Sequence, residues 1–248
     1  MKHLLVFASY NDGRQDFFSK YMSPRNNEYC NVHNYAYHEI TKKLHPFRGN
    51  LTWLKFTKVR DMINDSTLKE GDILVHLDAD MCLVKPEIEF PCNSSFTYSI
   101  DSGNSHCMGC YSIKINDWSK NMINLILDED RYRLLNDKLS LHEAFGYTNC
   151  FWHEFREQAS WYSLAGIKRH SDIPFTLLSN FGWHSDPSNV VYSLEELYEN
   201  VEILRANWNV TEMPGESDCR FNINQVAREH VLIRHFAGGQ PWRKEWFD

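Results

Sequence analysis

The run Ile73-Leu74-Val75-His76-Leu77, passing directly into Asp78-Ala79-Asp80, constrains the fold more than any other stretch of this chain. A short, nearly continuous apolar run bounded by polar residues reads as a strand buried on both faces, which is the pattern of a parallel sheet covered by helices. Two carboxylates at i and i+2 leave the tip of such a strand together and can share one hard cation. That cation can hold a diphosphate, so the pattern points to metal-dependent chemistry on a nucleotide-activated substrate.

The flanking segments agree with a sheet of this kind. Leu4 to Ala8 reads as the first strand, and Leu51 to Ile63 as a helix carrying Leu51, Leu54, Val59, Met62 and Ile63 at helical spacing. Phe96 to Ile100 and Gly109 to Ile115 read as strands. Asp117 is placed to cap a helix with Trp118, Met122, Leu125 and Ile126 on one face. Phe151 to Leu164 is predicted helical, Ser193 and Glu196 have capping-box spacing, and Val231-Leu232-Ile233 is a late strand ending in Arg234-His235. Alternation of strand and helix predicts an α/β fold with a mostly parallel central sheet flanked by helices. With 248 residues, 42% hydrophobic, and no linker or repeat, one domain over residues 1–248 is expected.

Composition excludes some classes. A formal charge of -7 argues against a general nucleic-acid binder. No apolar run approaches the length of a transmembrane helix. The seven Cys, an odd number, suit reduced thiols in a cytoplasmic protein better than a disulfide framework. Cys107-Met108-Gly109-Cys110 lacks the second pair that a zinc site needs, and the four N-x-S/T sequons, at Asn50, Asn64, Asn93 and Asn209, matter only on a secretory route.

A D-x-D triplet arises readily by chance, and the chain holds its own control in Asp128-Glu129-Asp130, which follows a helix in a charged segment and reads as surface. Asp78 and Asp80 instead sit between Leu77 and the apolar Met81-Cys82-Leu83-Val84, where two charges need a cation or donors to compensate them. The alternative is a turn with two capping Asp. His235 ends an apolar strand and enters a glycine-bearing loop, Phe236-Ala237-Gly238-Gly239-Gln240-Pro241-Trp242, whose backbone can approach phosphate oxygens. Imidazole beside carboxylates suits Mn²⁺, and carboxylates with water suit Mg²⁺. In an open parallel sheet ligands bind at the carboxyl ends of strands, and three such ends carry Tyr10-Asn11-Asp12, Asp78-Ala79-Asp80 and His235.

Ile73 to Pro86 resembles the D-x-D strand of GT-A fold glycosyltransferases, closest to the galactosyltransferase family 34 and the glycogenin-like family 8. Trp53-Leu54-Lys55 with Arg60 resembles the helix ahead of that strand, Gly109 to Ser119 the strand and helix after it, and Glu157-Gln158 the acidic-Gln pair under the acceptor sugar. Asn207-Trp208-Asn209 and His235 through Trp242 resemble the closing segments. The ordered set spans most of the chain. It departs in having Gln240 where family 8 has a phosphate lysine, with Arg243 and Lys244 as possible substitutes, and Cys107 where Asn is common.

The resemblance implies a single GT-A, Rossmann-like domain that moves a hexose from a nucleoside-diphosphate sugar, UDP ahead of GDP, to a glycan or other hydroxyl acceptor, with retention. It implies Mn²⁺ or Mg²⁺ held by Asp78 or Asp80, or both, and His235. It assigns Ser9, Tyr10, Asn11, Asp12, Lys55, Arg60, Ala79 and Gly238 to the nucleotide, and Glu157, Gln158 and Asp101 to the reacting face. Glu157 would act as nucleophile, or Gln158 would stabilise an oxocarbenium-like transition state; in an inverting enzyme Asp101 or Glu157 would be the base. Phe151, Trp152, Phe155, Trp161 and Tyr162 read first as core, with Trp152, Trp183, His184 and Asp186 as acceptor contacts. Two rivals remain. A sugar-1-phosphate nucleotidyltransferase would carry a Gly-rich basic loop after strand one, where Ser9 to Arg14 has one glycine. A carbohydrate-binding module would explain the tryptophans but not Lys55, Asp78, Asp80 and His235.

Overall fold

A computed structural model describes residues 1–7, 18–40, 51–101, 106–128, 130, 156–167, 190–212, 226 and 228–236. In chain order the elements are β1 (Lys2–Phe7), α1 (Ser23–His33), β2 (Ala36–Ile40), α2 (Leu54–Asn64), β3 (Ile73–Leu77), β4 (Met81–Leu83), β5 (Phe96–Ile100) and β6 (His106–Lys114). They continue with α3 (Asp117–Leu127), α4 (Arg156–Ala165), α5 (Leu194–Asn200), β7 (Val201–Leu204), β8 (Val210–Glu212) and β9 (Ile233–Phe236). Six strands form the main sheet in the order β2-β1-β3-β6-β5-β7. Every described strand in it is parallel except β6, which runs antiparallel to β3 and β5. The mixed α/β architecture with a mostly parallel sheet is the one expected from the strand-helix alternation.

The side-chain period of two builds one aromatic face. His76 pairs with Tyr111, and Tyr111 with Tyr98, so these residues and Phe96 share that face. Phe56 of α2 stacks on Tyr111, the ring centroids 5.2 Å apart, and Trp161 of α4 meets Phe96 edge-on at 5.0 Å. Helices α2, α3 and α4 pack in sequence beside one another. Trp161 and Tyr162 are buried core residues, while Phe151, Trp152 and Phe155 lie outside the described residues. The helix expected over Phe151 to Leu164 is described from Arg156 onward.

Two local expectations change. The cap of α3 is Asn116, whose side chain accepts from Ser119 N–H at 2.9 Å while Ser119 Oγ accepts from Asn116 N–H at 3.0 Å. Asp117 is instead the first helical residue; the reciprocal Asn/Ser pair satisfies two of the helix's open donors and so decides the start. The late strand begins at Ile233 and includes His235. It belongs to a second sheet, β4-β9-β8, in which β9 is antiparallel to β4 and parallel to β8. His235 is therefore not the carboxyl end of a strand in the parallel sheet. The Ser193–Glu196 box forms as its spacing predicted.

Cys30, Cys82, Cys92, Cys107 and Cys110 are unpaired thiols. Cys110 Sγ lies 3.1 Å from Ser99 Oγ and 3.4 Å from the Trp208 carbonyl. Asp128 and Asp130 are exposed, in keeping with a surface triplet. Among the described residues no helix is long and apolar enough to cross a membrane.

Candidate functional site at the end of the third strand

Period two carries Asp78 beyond the end of β3 on the same face as His76. Helix α2 delivers Lys55 to that face from its first turn, and α4 delivers Glu157 from its own. Lys55 is 1% exposed, yet its ammonium donates to both Asp78 oxygens at 3.2 Å and to the Met108 carbonyl at 2.8 Å, and lies 3.1 Å from Glu157 Oε1. His76 Nε2 is 2.9 Å from Asp78 Oδ1. Gly109 opens the space: a Cβ there would sit 3.3 Å from Asp78 Oδ2 and 2.4 Å from Met81 Cε. Its carbonyl accepts from Asp78 N–H at 2.8 Å, tying the turn to β6.

The electrostatics follow from this packing. Burial works against the Lys55 charge, but Asp78 and Glu157 outweigh it and push its pKa up. Burial raises the Asp78 carboxyl, but Lys55 and the His76 hydrogen bond outweigh it and hold it below the usual carboxylate range. Burial pulls His76 down, against the pull of Asp78. Asp78 is thus an ionised, fully engaged carboxylate at neutral pH.

Asp80, two residues on, has different neighbours. β4 leaves the turn and pairs with β9, setting Met81 opposite His235, and the Asp80 carbonyl accepts from Phe236 N–H at 2.8 Å. This brings Asp80 Oδ1 to 3.7 Å from His235 Nε2, with Thr211 Oγ1 in long contact with the other ring nitrogen at 3.5 Å. The spacing exceeds a hydrogen bond, but two donors each about 2.1 Å from one ion stand about 3 to 4 Å apart. Carboxylate and imidazole are the donor types for Mn²⁺ or Mg²⁺, and such ions are commonly held by one or two protein groups plus substrate phosphates. The Asp80–His235 pair fits that role. Among the described residues no three His, Cys, Asp or Glu side chains gather as a metal-binding group, because both Asp78 oxygens face Lys55 and His76. Among the described residues, Asp78, Asp80 and Glu157 place carboxyl groups around the turn beside the Lys55 ammonium, donors of the type suited to a divalent cation.

The other predicted site residues are placed less uniformly. Gln158 lies beside Glu157, but its amide is tied inside the fold: Oε1 accepts from Met108 N–H at 3.0 Å and Nε2 donates to Tyr162 Oη at 2.9 Å. Glu157 Oε2 is buried with no hydrogen-bond partner among the described residues. Arg60 is half-buried on α2 and, five residues after Lys55, points about 140° away around the helix. Lys55 itself turns inward between two carboxylates rather than outward to a phosphate. Ala79 is buried in the turn. Asp101 follows β5, half-buried, near enough to Cys107 that, after burial, its charge helps push that thiol up. Ser9, Tyr10, Asn11, Asp12, Gly238, Gln240, Arg243, Lys244, Trp183, His184 and Asp186 lie outside the described residues. His76 and Thr211 were not singled out from the sequence. The signal for His76 was a ring nitrogen inside an apolar run, two residues before Asp78 on the same face; Thr211 offered none.

No protein-family model and no curated protein matches the chain. Among solved structures, a glycosyltransferase involved in the glycosylation of the major capsid of PBCV-1 superposes with a TM-score of 0.52 at 13% identity, over 96% of this chain and 93% of that one. The apo-form glycosyltransferase GlyE of Streptococcus pneumoniae aligns over 98% of this chain and 56% of its own, with a TM-score of 0.45 and 13% identity. Mouse xyloside xylosyltransferase 1 aligns over 98% and 100%, at 0.45 and 11%. The chain has the GT-A glycosyltransferase fold.

Proposed function

We propose that this protein transfers a hexose from a nucleoside-diphosphate sugar, UDP-linked, to a hydroxyl of a glycan or other acceptor, with a divalent cation and with retention at the anomeric carbon. What supports it above all is the juxtaposition, at one strand end of a GT-A sheet, of the Lys55–Asp78–Glu157 cluster with the Asp80–His235 pair. Asp80 and His235 would hold Mn²⁺ or Mg²⁺ through Oδ1 and Nε2. Bound there, the ion would supply Lewis-acid stabilisation of the departing nucleoside diphosphate.

The chain's own groups divide the remaining work. Lys55 holds the Asp78 and Glu157 carboxyl groups side by side, at 3.2 and 3.1 Å from its ammonium. Glu157 Oε2 is a buried acceptor with capacity to spare, suited to a sugar hydroxyl or to positive charge developing at the anomeric carbon. The ammonium on Oε1 damps its nucleophilicity, so electrostatic support suits Glu157 better than covalent attack. Gln158 is spent on fixing β6 and α4 together, which makes it a scaffold for Glu157. The carbon–oxygen bond to the diphosphate breaks, its electron pair leaves with the diphosphate, and the acceptor oxygen arrives on the same face and gives its proton to the leaving oxygen.

The test is release of UDP from UDP-galactose and UDP-glucose with Mn²⁺ or with chelator. Metal-dependent UDP release, lost in Asp80→Ala together with Mn²⁺-dependent thermal stabilisation by UDP, is the expected result. Pyrophosphate release would point to nucleotidyl transfer, and an Asp80→Ala shift equal to wild type would defeat the metal assignment.

A further inference from the structure

We infer that His76 is a positioning residue that sets the plane of the Asp78 carboxylate, so that the two aspartates of one turn divide between two tasks. The inference rests on the glycosyl-transfer reading above. A polar ring on the inner face of a strand costs free energy unless it makes a hydrogen bond, which His76 makes through Nε2. His76 is 0% exposed, and its ring packs edge-to-face with Phe7 at 5.6 Å and tilted against Tyr111 at 4.8 Å. Those neighbours fix its orientation, and with it the direction of Nε2, which meets Asp78 Oδ1 at 2.9 Å.

Lys55 alone would not define that carboxylate. An ammonium is a point charge with three rotatable donors, and here it lies 3.2 Å from either Asp78 oxygen. An imidazole N–H donates along one line. Oδ1 therefore takes the ring, both oxygens take the ammonium, and the carboxylate is held toward α2. Asp80, on the next outward position of the turn, stands by His235. A leucine at position 76 would suit the apolar run of β3 and would remove the only directional donor that the described residues offer to Asp78 Oδ1. The cation site would then lose the fixed charge beside it. Groups that hydrogen-bond a metal ligand commonly change metal affinity by about 10- to 100-fold when removed, and His76 acts one contact further out, on the carboxylate beside the ligand pair, so its removal should cost about three- to tenfold.

The experiment measures Mn²⁺ affinity in the presence of UDP, by paramagnetic resonance of free Mn²⁺, for wild type, His76→Leu, His76→Gln and His76→Asn. His76→Gln, whose amide reaches about as far as Nε2, is expected to stay within about twofold of wild type, and His76→Leu and the shorter His76→Asn to weaken binding about three- to tenfold. In an Asp78→Asn background His76→Leu should add nothing further, since the two act through one contact. Wild-type affinity in His76→Leu or in His76→Asn, or an effect undiminished in Asp78→Asn, would overturn the role of His76 alone. Should His76→Leu not fold, the Gln and Asn variants carry the comparison. A wild-type protein that binds no Mn²⁺ with UDP would overturn the glycosyl-transfer reading and this inference with it.

Discussion

Replacing Lys55 by methionine removes one ammonium from a nearly dry site and leaves two carboxylates facing each other. Each ion pair, at 3.2 Å to Asp78 and 3.1 Å to Glu157, is worth about 5 kcal/mol of Coulomb attraction at an effective dielectric constant of about 20. Part of that repays the cost of burying the charges, so removal of one partner is expected to cost about 3–5 kcal/mol. At about 2–4 °C per kcal/mol for a chain of this size, Tm should fall by about 6–20 °C. The loss carries a pH signature. Asp78 is held below its unfolded value, so the stability it lends is present above about pH 4 and fades as pH falls through its folded value. Lys55 is raised, so its contribution is complete below about pH 10 and fades only above that. At neutral pH both are in force, and the gap between wild type and Lys55→Met should narrow as pH falls below about 4. Adding Glu157→Gln should return about 1–3 kcal/mol by removing one of the stranded charges. Urea unfolding followed by tryptophan fluorescence at several pH values measures all three. A Lys55→Met loss below about 1 kcal/mol, or one unchanged by acid, would refute the buried charge cluster.

Gly109→Ala should cost about 1 kcal/mol or less, because the atom its Cβ would press on is the terminal methyl of Met81, the far end of a flexible side chain that can turn aside; a loss above about 2 kcal/mol, by chemical denaturation, would show that Met81 is held in place. At the opposite end of β1, His3 Nδ1 and His38 Nε2 share one hydrogen bond of 3.0 Å. Burial lowers both rings, with Asp72, the terminal amine, Lys58 and Asp65 as the surrounding charges. Their stability contribution is complete above the unfolded value of about 6.5 and is lost as pH falls below it, so Tm should drop as pH is lowered through about 6.5 and beyond. His38→Gln should flatten that slope, and an unchanged slope would remove the pair from the account.

Much of the sheet was legible because burial leaves a one-dimensional trace. Ile73–Leu77 is apolar but for His76, Phe96–Ile100 alternates large apolar residues with Thr97 and Ser99, and both are strands with those bounds. Ser193 and Glu196 announce a helix start because a capping box is local chemistry. Asp117 misled because Asp and Asn both cap, and only the reciprocal Ser119 contact separates them. The late strand misled more deeply. Val231 to His235 is apolar enough for the parallel sheet, and nothing in its pattern says that it pairs with the three residues after the acidic turn instead.

Residue order alone determined that an acidic turn would close a buried strand in a mostly parallel sheet, because hydrophobic periodicity and strand length are properties of neighbours along the chain. It also put Lys55, Glu157 and His235 among the residues to watch. Only the tertiary structure decided their partners. Lys55 lies inward between Asp78 and Glu157, Gln158 is bound to backbone, and Asp78 and Asp80 part company, one to His76 and the other to His235. The reason is that ion pairing and coordination depend on which groups meet across elements distant in sequence, and a buried charge accepts whichever compensating group the packing brings within about 3 to 4 Å.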